Sequence, residues 1–203
     1  MATAPQRAVP RVTRRLPRAE RREVILRSAA QLFGRRGYAA ASMEDIAAAA
    51  GVTKLILYRH FASKADLYRA VLQRVADQLS ERVVTRLEAD GFGVGARSLL
   101  VLAREDSAGF QLFWRHAGRA PELARYAGKL RAKAVSAVRS SLAHRVPAEF
   151  LEWATHAVVG YLVEAVLNWL EFGDPARDEQ FVRATNKAMR AGVRAWTELS
   201  GER

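Results

Sequence analysis

The sequence of 203 residues contains no cysteine. This absence excludes disulfide bridges, thiolate zinc sites, iron–sulfur clusters and thiol catalysis, and it fits a reducing compartment. Proline and glycine are scarce, with 6 and 13 residues, so the chain is neither fibrous nor of low complexity. No stretch reaches the roughly 18 uninterrupted apolar residues of a membrane span, and the first twenty residues lack the apolar core of a signal peptide. We therefore expect a cytoplasmic protein.

Acidic residues are few at one end of the chain. The whole sequence carries 33 Lys and Arg against 21 Asp and Glu, a net charge of +12. Residues 1–80 hold 15 basic and 6 acidic side chains, a net charge of +9, which leaves +3 for the other 123 residues. Such concentrated charge is typical of a nucleic-acid-binding module joined to a near-neutral domain. The alternative interpretation is a solubilising tail.

The chain reads as an all-α protein of about nine helices that follow a disordered arm. Residues 1–18 combine three prolines with several arginines and no apolar periodicity, which predicts a disordered basic arm. Beyond them, apolar residues recur at helical spacing and period-two segments are absent. The first helix is predicted to end near Gly37, and the next three begin at Ser42, Thr53 and Ser63. Five more are predicted at roughly 96–105, 107–118, 122–144, 148–172 and 176–199.

Residues 42–61 predict a helix-turn-helix. Two short helices are joined by a tight turn, where Gly51 supplies backbone freedom and Val52 can fill the angle between the helices. Leu57 and Phe61, four residues apart, are predicted to face inward. A helix of this kind fits the major groove of B-DNA, with its N-terminal residues toward the base edges. The residues left for the outside are Lys54, Leu55, Ile56, Tyr58, Arg59 and His60.

Across about residues 20–72 the sequence resembles the N-terminal domain of TetR-type transcriptional repressors. The resemblance rests on Leu-Phe…Gly-Tyr ending the first helix, the Ile-Ala…Ala-Gly-Val turn, Leu-Tyr-x-x-Phe, and Ser-Lys-x-x-Leu opening the fourth helix. It implies a DNA-binding domain over 19–66 and an effector-binding and dimerisation domain over 67–203. It also implies a homodimeric bacterial repressor, not an enzyme, released from a palindromic operator in double-stranded DNA by a small-molecule ligand.

Individual DNA-contacting roles follow from helix chemistry and from the resemblance. Thr53 caps the recognition helix and can meet a phosphate at its positive end, while Lys54 can reach a phosphate or a guanine edge. Tyr58, His60 and Lys64 resemble the phosphate-contacting positions of the family. For Arg59 the sequence leaves two alternatives, a side chain that faces the DNA groove or one that faces solvent. The predicted DNA-binding set is Ser42, Thr53, Lys54, Leu55, Ile56, Tyr58, Arg59, His60, Lys64 and Arg18.

Two features of this set are particular to the chain. Many family members carry Gly-Thr, and some a proline, where this sequence has Leu55 and Ile56. Apolar side chains at these two positions are predicted to contact thymine methyl groups. The alternative is that one of the two residues, more readily Leu55, belongs to the core. In the arm, arginines at 11, 14, 15 and 18 are predicted to follow phosphates or enter the minor groove.

The last two helices predict a dimer interface. The segment 148–172 is apolar on nearly every side, which indicates burial all round. The final helix carries small residues at four-residue steps, a pattern that lets two helices approach closely. The alternative is that both helices pack only within their own domain. The predicted interface comprises Val166, Trp169, Phe181, Ala184, Ala188, Gly192 and Trp196.

The middle helices predict an effector pocket. Aromatic side chains with a few polar partners are typical of small-molecule sites, and this set favours a hydrophobic or aromatic ligand, with ordinary core aromatics as the alternative. The predicted lining is Phe110, Phe113, Trp114, Tyr126, Trp153, His156 and Tyr161. The continuous fourth helix is the expected connection between pocket and DNA.

Two other functions fit the sequence less well. An enzyme is disfavoured because the glycines at 91, 93 and 95 follow no strand, and because Glu152 and His156 lack a third metal ligand at matching spacing. No metal and no cofactor other than the unidentified effector are predicted. A constitutive DNA-packaging protein shares the basic arm but does not need a large aromatic second domain.

Overall fold

The computed structural model describes residues 16–84, 95–119 and 121–198, and within these ranges the chain is helical without a strand. The all-α prediction is therefore confirmed. The predicted arm lies outside the described residues as far as residue 15, and the first helix begins at Arg18. The α-helices are α1 (Arg18–Ala40), α2 (Met43–Ala49), α3 (Lys54–His60), α4 (Lys64–Leu79), α5 (Gly95–Glu105), α6 (Ser107–Gln111), α7 (Pro121–Leu142), α8 (Leu151–Phe172) and α9 (Asp178–Glu198).

The N-terminal domain forms around one apolar face of α1. Ile25, Leu26 and Phe33 recur at helical spacing and are buried, and α1 packs on α2 and α4. The Phe33 ring meets the Tyr68 ring of α4 edge-on, with 4.9 Å between ring centroids. The regular helix stops at Gly37, whose φ of +77° is a left-handed conformation that glycine tolerates, as the sequence predicted.

Helix α4 joins the two parts of the molecule. Its buried residues begin with Leu67 and Tyr68, whose ring contacts Phe33 of α1, and continue to Val75 and Leu79 farther along. The chain continues from Ser80 to Val84 as a wider π-helical turn, and α4 packs on α7 and α5. The predicted end near residue 87 lies outside the described residues.

Helix α8 is the centre of the second domain. It packs on α5, α7 and α9, and its buried residues include Ala154, Val158, Leu162 and Val166. The helix over 148–172 is long and apolar enough to cross a membrane by length and composition alone, a test that core helices of globular proteins also pass. Its packing against three neighbouring helices assigns it to the core of this domain.

The predicted helix 107–118 is less regular than expected. Only Ser107–Gln111 is α-helical, followed by a π-helical turn at Leu112–His116 and a 3₁₀ turn at Ala117–Arg119. The side chain of Arg131 on α7 donates to the carbonyl oxygens of Phe113 and Trp114. A side chain that takes carbonyls from the helical ladder is a recognised cause of such a distortion.

Candidate nucleic-acid interface and effector cavity

Helices α2 and α3 form the predicted helix-turn-helix. The hydroxyl of Ser42 accepts from the Asp45 N–H at 3.0 Å, and the hydroxyl of Thr53 accepts from the Ile56 N–H at 3.3 Å, so both helices have side-chain caps. Between them Gly51 adopts a φ of +64°. The Val52 N–H donates to the Ala47 carbonyl at 3.0 Å, which fixes the angle at which α3 leaves the turn.

The inward and outward faces of α3 agree with the prediction. Leu57 and Phe61 are buried, while Thr53, Lys54, Tyr58 and Arg59 are exposed. Leu55 is 62% exposed, an unusual state for a leucine, whereas Ile56 is partly buried. The alternative that Leu55 belongs to the core is thus wrong. Leu55 is the more accessible of the two apolar side chains on this surface.

Lys54 has an acidic partner in the free protein. Its ammonium group pairs with the carboxylate of Glu44 on α2, and this hydrogen bond raises the pKa of Lys54. Both side chains are exposed, so the pair is weak and easily exchanged. Any other acceptor that binds Lys54 must therefore replace Glu44.

Lys64 has a structural role that the sequence did not predict. Its ammonium group donates to the carbonyl oxygens of Ala39 and Ala41 at 3.1 and 3.0 Å and lies 4.7 Å from the centre of the Tyr38 ring. Carbonyls and an aromatic face leave the positive charge without neutralisation. Lys64 thus holds the end of α1 against the start of α4 and keeps its charge available to a phosphate.

A group of cations surrounds the end of α3. Partial burial lowers the pKa of His60, and the charges of Arg18, Arg21 and Arg22 lower it further. Arg22 also lies over the Phe61 ring, 5.3 Å from its centre. Of these three arginines, the sequence predicted only Arg18 as a DNA-binding residue. The signal for the other two was their spacing, since residues one turn apart at the start of α1 share a face.

The depressed pKa of His60 predicts a pH-dependent stability. The unfolded chain has a histidine pKa near 6.5 and binds more protons than the folded chain at about pH 6, so the free energy of unfolding falls as the pH drops below about 6.5. Urea unfolding between about pH 7 and about pH 5 should show a shallower pH dependence for His60→Gln than for the wild type. The same substitution at exposed His144 is the control. The same slope of unfolding free energy against pH for the wild type and His60→Gln would contradict the partly buried, cationic environment assigned to His60.

The outer face of α8 and α9 carries exposed apolar groups. Trp153 is 54% and Tyr161 is 42% exposed, and Trp153 meets Trp196 of α9 edge-on at 4.9 Å. Ala188 and Gly192 line a shallow groove with Tyr161 and Trp196. Ala184 is exposed on the same helix. These groups form one apolar surface, called the α8–α9 face below.

Three predicted interface residues make contacts within the protomer. Val166 is fully buried inside the protomer, which corrects its assignment to a surface. Trp169 and Phe181 stack on each other with ring centroids 4.8 Å apart, and the Trp169 indole N–H donates to Asp178 at 2.7 Å. These two aromatic rings therefore join α8 to α9 within one chain.

The second domain contains an apolar cavity of about 40 Å³. Leu79 and Val83 contribute the wall nearest α4, and Trp114 closes another side. All side chains along it are apolar apart from the Trp114 indole N–H, which is buried without a hydrogen-bond partner among the described residues. The remaining wall consists of Gly95, Leu99, Ala134, Val138, Val158, Val159, Leu162 and Val163.

Most of the predicted pocket residues do not line this cavity. Phe110 and Phe113 are fully buried core residues, and the Tyr126 hydroxyl donates to Gln73 at 2.7 Å. Trp153 and Tyr161 project from the α8–α9 face, which corrects their assignment. His156 lies in a neighbouring groove. Of the predicted set, Trp114 alone lines the cavity, and the small aliphatic residues around it were missed.

Comparison with known proteins agrees with this geometry. A family model of bacterial regulatory proteins, tetR family, matches residues 25–71, which hold α2, α3, most of α1 and the first half of α4. Over these residues the chain is similar to the DNA-binding domain of the tetR family. The HTH-type transcriptional activator FasR of Mycolicibacterium smegmatis is 57% identical over 65 residues, which are 32% of this chain and 30% of FasR. The chain thus spans less than a third of the length of that relative.

Solved structures share the fold over most of the chain. A TetR-like transcriptional regulator from Rhodococcus sp. RHA1 has a TM-score of 0.74 and 22% identity, covering 93% of this chain and all of that one. AibR in complex with isovaleryl coenzyme A and operator DNA has a TM-score of 0.68 and 22% identity, covering 83% of this chain and 97% of AibR. At these identities the likeness concerns the fold.

Proposed function

We propose that this protein is a cytoplasmic, homodimeric, sequence-specific DNA-binding regulator of the tetR family. It acts as a repressor that leaves a palindromic operator when a small apolar ligand binds. The observation that carries the proposal is the surface of α3, where Leu55, Tyr58 and Arg59 are exposed beside the cations at the start of α1. An exposed short helix with an uncovered leucine, flanked by positive charge, suits base edges in a major groove between two phosphate strands.

Dimerisation supplies a second copy of α3, which recognises the second half-site of the operator. A two-fold axis through the α8–α9 face presents two copies of α3, which bind half-sites about 34–36 Å apart or at a multiple of that spacing. Exposed Trp153 and Tyr161 favour this interface, because contiguous aromatic surface is unfavourable in water. The small residues Ala188 and Gly192 allow the helices of two protomers to approach closely.

Ligand control rests on α4. Leu79 and Val83 belong to the cavity wall, and Leu67 of the same helix is buried in the N-terminal domain. A ligand that moves the wall must therefore change the orientation of the domain that holds α3. The ligand changes DNA binding only if it binds more tightly to one orientation of this domain than to the other. A coupling free energy of about 1–3 kcal/mol between ligand and DNA binding changes DNA affinity roughly 5- to 150-fold. AibR, which shares the fold, is a precedent for a ligand and an operator on one such chain.

Two other functions are less well supported. A DNA-packaging protein needs charge but no exposed leucine on a capped recognition helix. For an enzyme, the pair Glu152 and His156 is the nearest candidate centre, but the carboxylate of Glu152 pairs with Arg139. The relatives reported above are named as transcription regulators.

Competition separates a regulator from a packaging protein. Genomic DNA fragments are incubated with the protein and a large excess of poly(dI-dC), and the retained fragments are sequenced. A regulator keeps a small set of fragments that share a motif. Uniform loss of all fragments as the competitor increases would exclude the proposed function.

Leu55 is expected to set base preference at one operator position. Leu55→Ala should reduce discrimination at that position by up to about 1–3 kcal/mol, the usual cost of one mismatched base pair. It should leave the salt dependence unchanged, because no phosphate contact is lost. Affinities for operators carrying each base at each position are the measurement, and the less accessible Ile56→Ala is the comparison. An unaltered preference profile for Leu55→Ala rules out apolar readout by this residue.

The basic arm is expected to contribute phosphate contacts. Deleting residues 1–15 removes four arginines, and each one that meets a phosphate lowers the slope of log affinity against log salt by about 0.9. Fluorescence anisotropy between about 50 and 200 mM salt measures this slope. If the slope is the same with and without the arm, the arm serves only solubility.

A further inference from the structure

A second concave site lies against the apolar cavity. It is an open groove between α7 and α8, and it shares Trp114 and Val159 with the cavity. These two side chains therefore separate the apolar space from the groove. On the groove side, Gly128 and Gly160 have no atom within 4 Å of where a Cβ would stand, so the groove is open at both helices.

The groove is cationic where the cavity is apolar. Its ionisable side chains are Arg131, Arg139 and His156, and no acid lines it among the described residues. Arg139 pairs with Glu152 at the exposed rim, where an ion pair is readily exchanged. The remaining lining consists of Ala132, Val135 and Ser136 with the two glycines and the two shared residues.

Arg131 is the most unusual group in the groove. Burial lowers the pKa of its guanidinium group, yet its hydrogen bonds in the described residues go to the carbonyl oxygens of Phe113 and Trp114 and not to a carboxylate. It also lies over the rings of these two residues, 5.6 and 5.8 Å from their centres. A half-buried cation held only by neutral groups retains its full attraction for an anion.

We propose that the effector is an amphipathic anion, whose apolar tail enters the cavity and whose carboxylate or phosphate binds Arg131 and Arg139 in the groove. This inference rests on the proposed function and names the chemical class of its ligand. The tail displaces Trp114 and Val159, which stand between the two spaces. The anion competes with the Phe113 and Trp114 carbonyls for the donors of Arg131.

The size of the cavity explains how such a ligand acts on DNA binding. The cavity of about 40 Å³ is well below the roughly 150 Å³ that accommodates a benzene molecule, so a tail of several carbons must push the walls apart. Leu79 and Val83 form one of those walls. Binding therefore moves the end of α4, whose other end lies in the N-terminal domain.

The test compares four probes of eight carbon atoms each on the full chain without DNA. Octanoate, octyl phosphate, octanol and octylammonium are titrated by calorimetry. Both anions should bind about tenfold or more tightly than octanol, as expected when a hydrogen bond to a charged group is lost, and octylammonium should bind least. Similar affinities for octanol and octanoate would overturn the proposal. The ratio of the affinities for octanoate and octyl phosphate distinguishes a carboxylate from a phosphate ligand.

Variants locate the two halves of the site. Arg131→Gln and the exposed Arg139→Gln should each weaken octanoate binding without affecting octanol, whereas Lys133→Gln removes the same charge from an exposed position of α7 outside the groove and should change neither. Ala134→Leu fills the cavity and should weaken the binding of octanoate, octyl phosphate and octanol. If the Arg139 and Lys133 variants behave alike, the groove does not hold the anion.

Operator release is a separate readout. Octanoate that binds the protein but does not displace operator DNA would contradict ligand control as proposed above and leave the ligand class intact. Normal sequence-specific DNA binding together with no anion preference would contradict the ligand class and leave the DNA-binding function intact.

Discussion

Replacing Gly192 with arginine is expected to weaken operator binding by about 10²–10⁴-fold, the range by which joining two binding modules exceeds either one alone. Gly192 lies in the shallow groove of the α8–α9 face. A Cβ at this position would have Trp196 as its nearest neighbour, at an ordinary contact distance of 3.9 Å. The protomer can therefore accept the side chain, but a dimer interface cannot accept an unpaired charge at its centre.

Light scattering, circular dichroism and anisotropy on one preparation distinguish the possible causes. Gly192→Arg should be a folded monomer that binds a half-site and a full operator equally well. Val101→Arg places the same charge on an exposed position of α5 that is not among the residues of the α8–α9 face, and this variant should remain a dimer with unchanged affinity. A monomeric Gly192→Arg protein with undiminished operator affinity would show that the two copies of α3 do not act together.

Replacing Arg74 with methionine is expected to cost about 3–5 kcal/mol of unfolding free energy, the usual loss when one member of a buried ion pair is removed. Arg74 lies on α4 with 8% of its side chain exposed, and it pairs with Asp106, of which 7% is exposed. Its other partner is Glu23 of α1, at 3.2 Å. Removal leaves the carboxylate of Asp106 buried, with the Gly109 N–H, at 3.1 Å, as its remaining donor among the described residues.

The loss of unfolding free energy should depend on the unpaired carboxylate charge of Asp106. Adding Asp106→Asn to Arg74→Met keeps an oxygen for the Gly109 N–H and removes the unpaired charge, so the double variant should recover part of the loss in urea unfolding. Arg97→Met breaks an exposed pair with Glu179 and should cost no more than about 1 kcal/mol. If Arg74→Met costs as little as Arg97→Met, Arg74 is not a structural link between α1, α4 and α6.

The N-terminal domain could be predicted because its signals are local. The caps at Ser42 and Thr53 bond three residues ahead, and Gly51 has the positive φ that its turn requires. Leu57 and Phe61 needed only the helical period to be assigned to the core. The contacts of Lys64 with Ala39 and Ala41 span more than twenty residues, and no local pattern indicates them.

The second domain was harder to predict because its central helix is apolar on nearly all sides. Periodicity assigns a face only where polar and apolar residues alternate, so Val166 in the core and Tyr161 on the surface looked alike in sequence. The aromatic residues drew attention to a pocket, yet small aliphatic residues such as Ala134 and Val158 line the cavity. Arg131 was missed because its partners, Phe113 and Trp114, lie on another helix.

Two copies of α3, joined through the α8–α9 face, are expected to bind one symmetric operator. Selection of bound sequences from random DNA tests this most directly, because sequence and spacing are recovered together. The selected sequences should contain an inverted repeat whose half-site centres are about 34–36 Å apart, or a multiple of that distance. Recovery of a single asymmetric half-site, or of no enriched sequence, would contradict it.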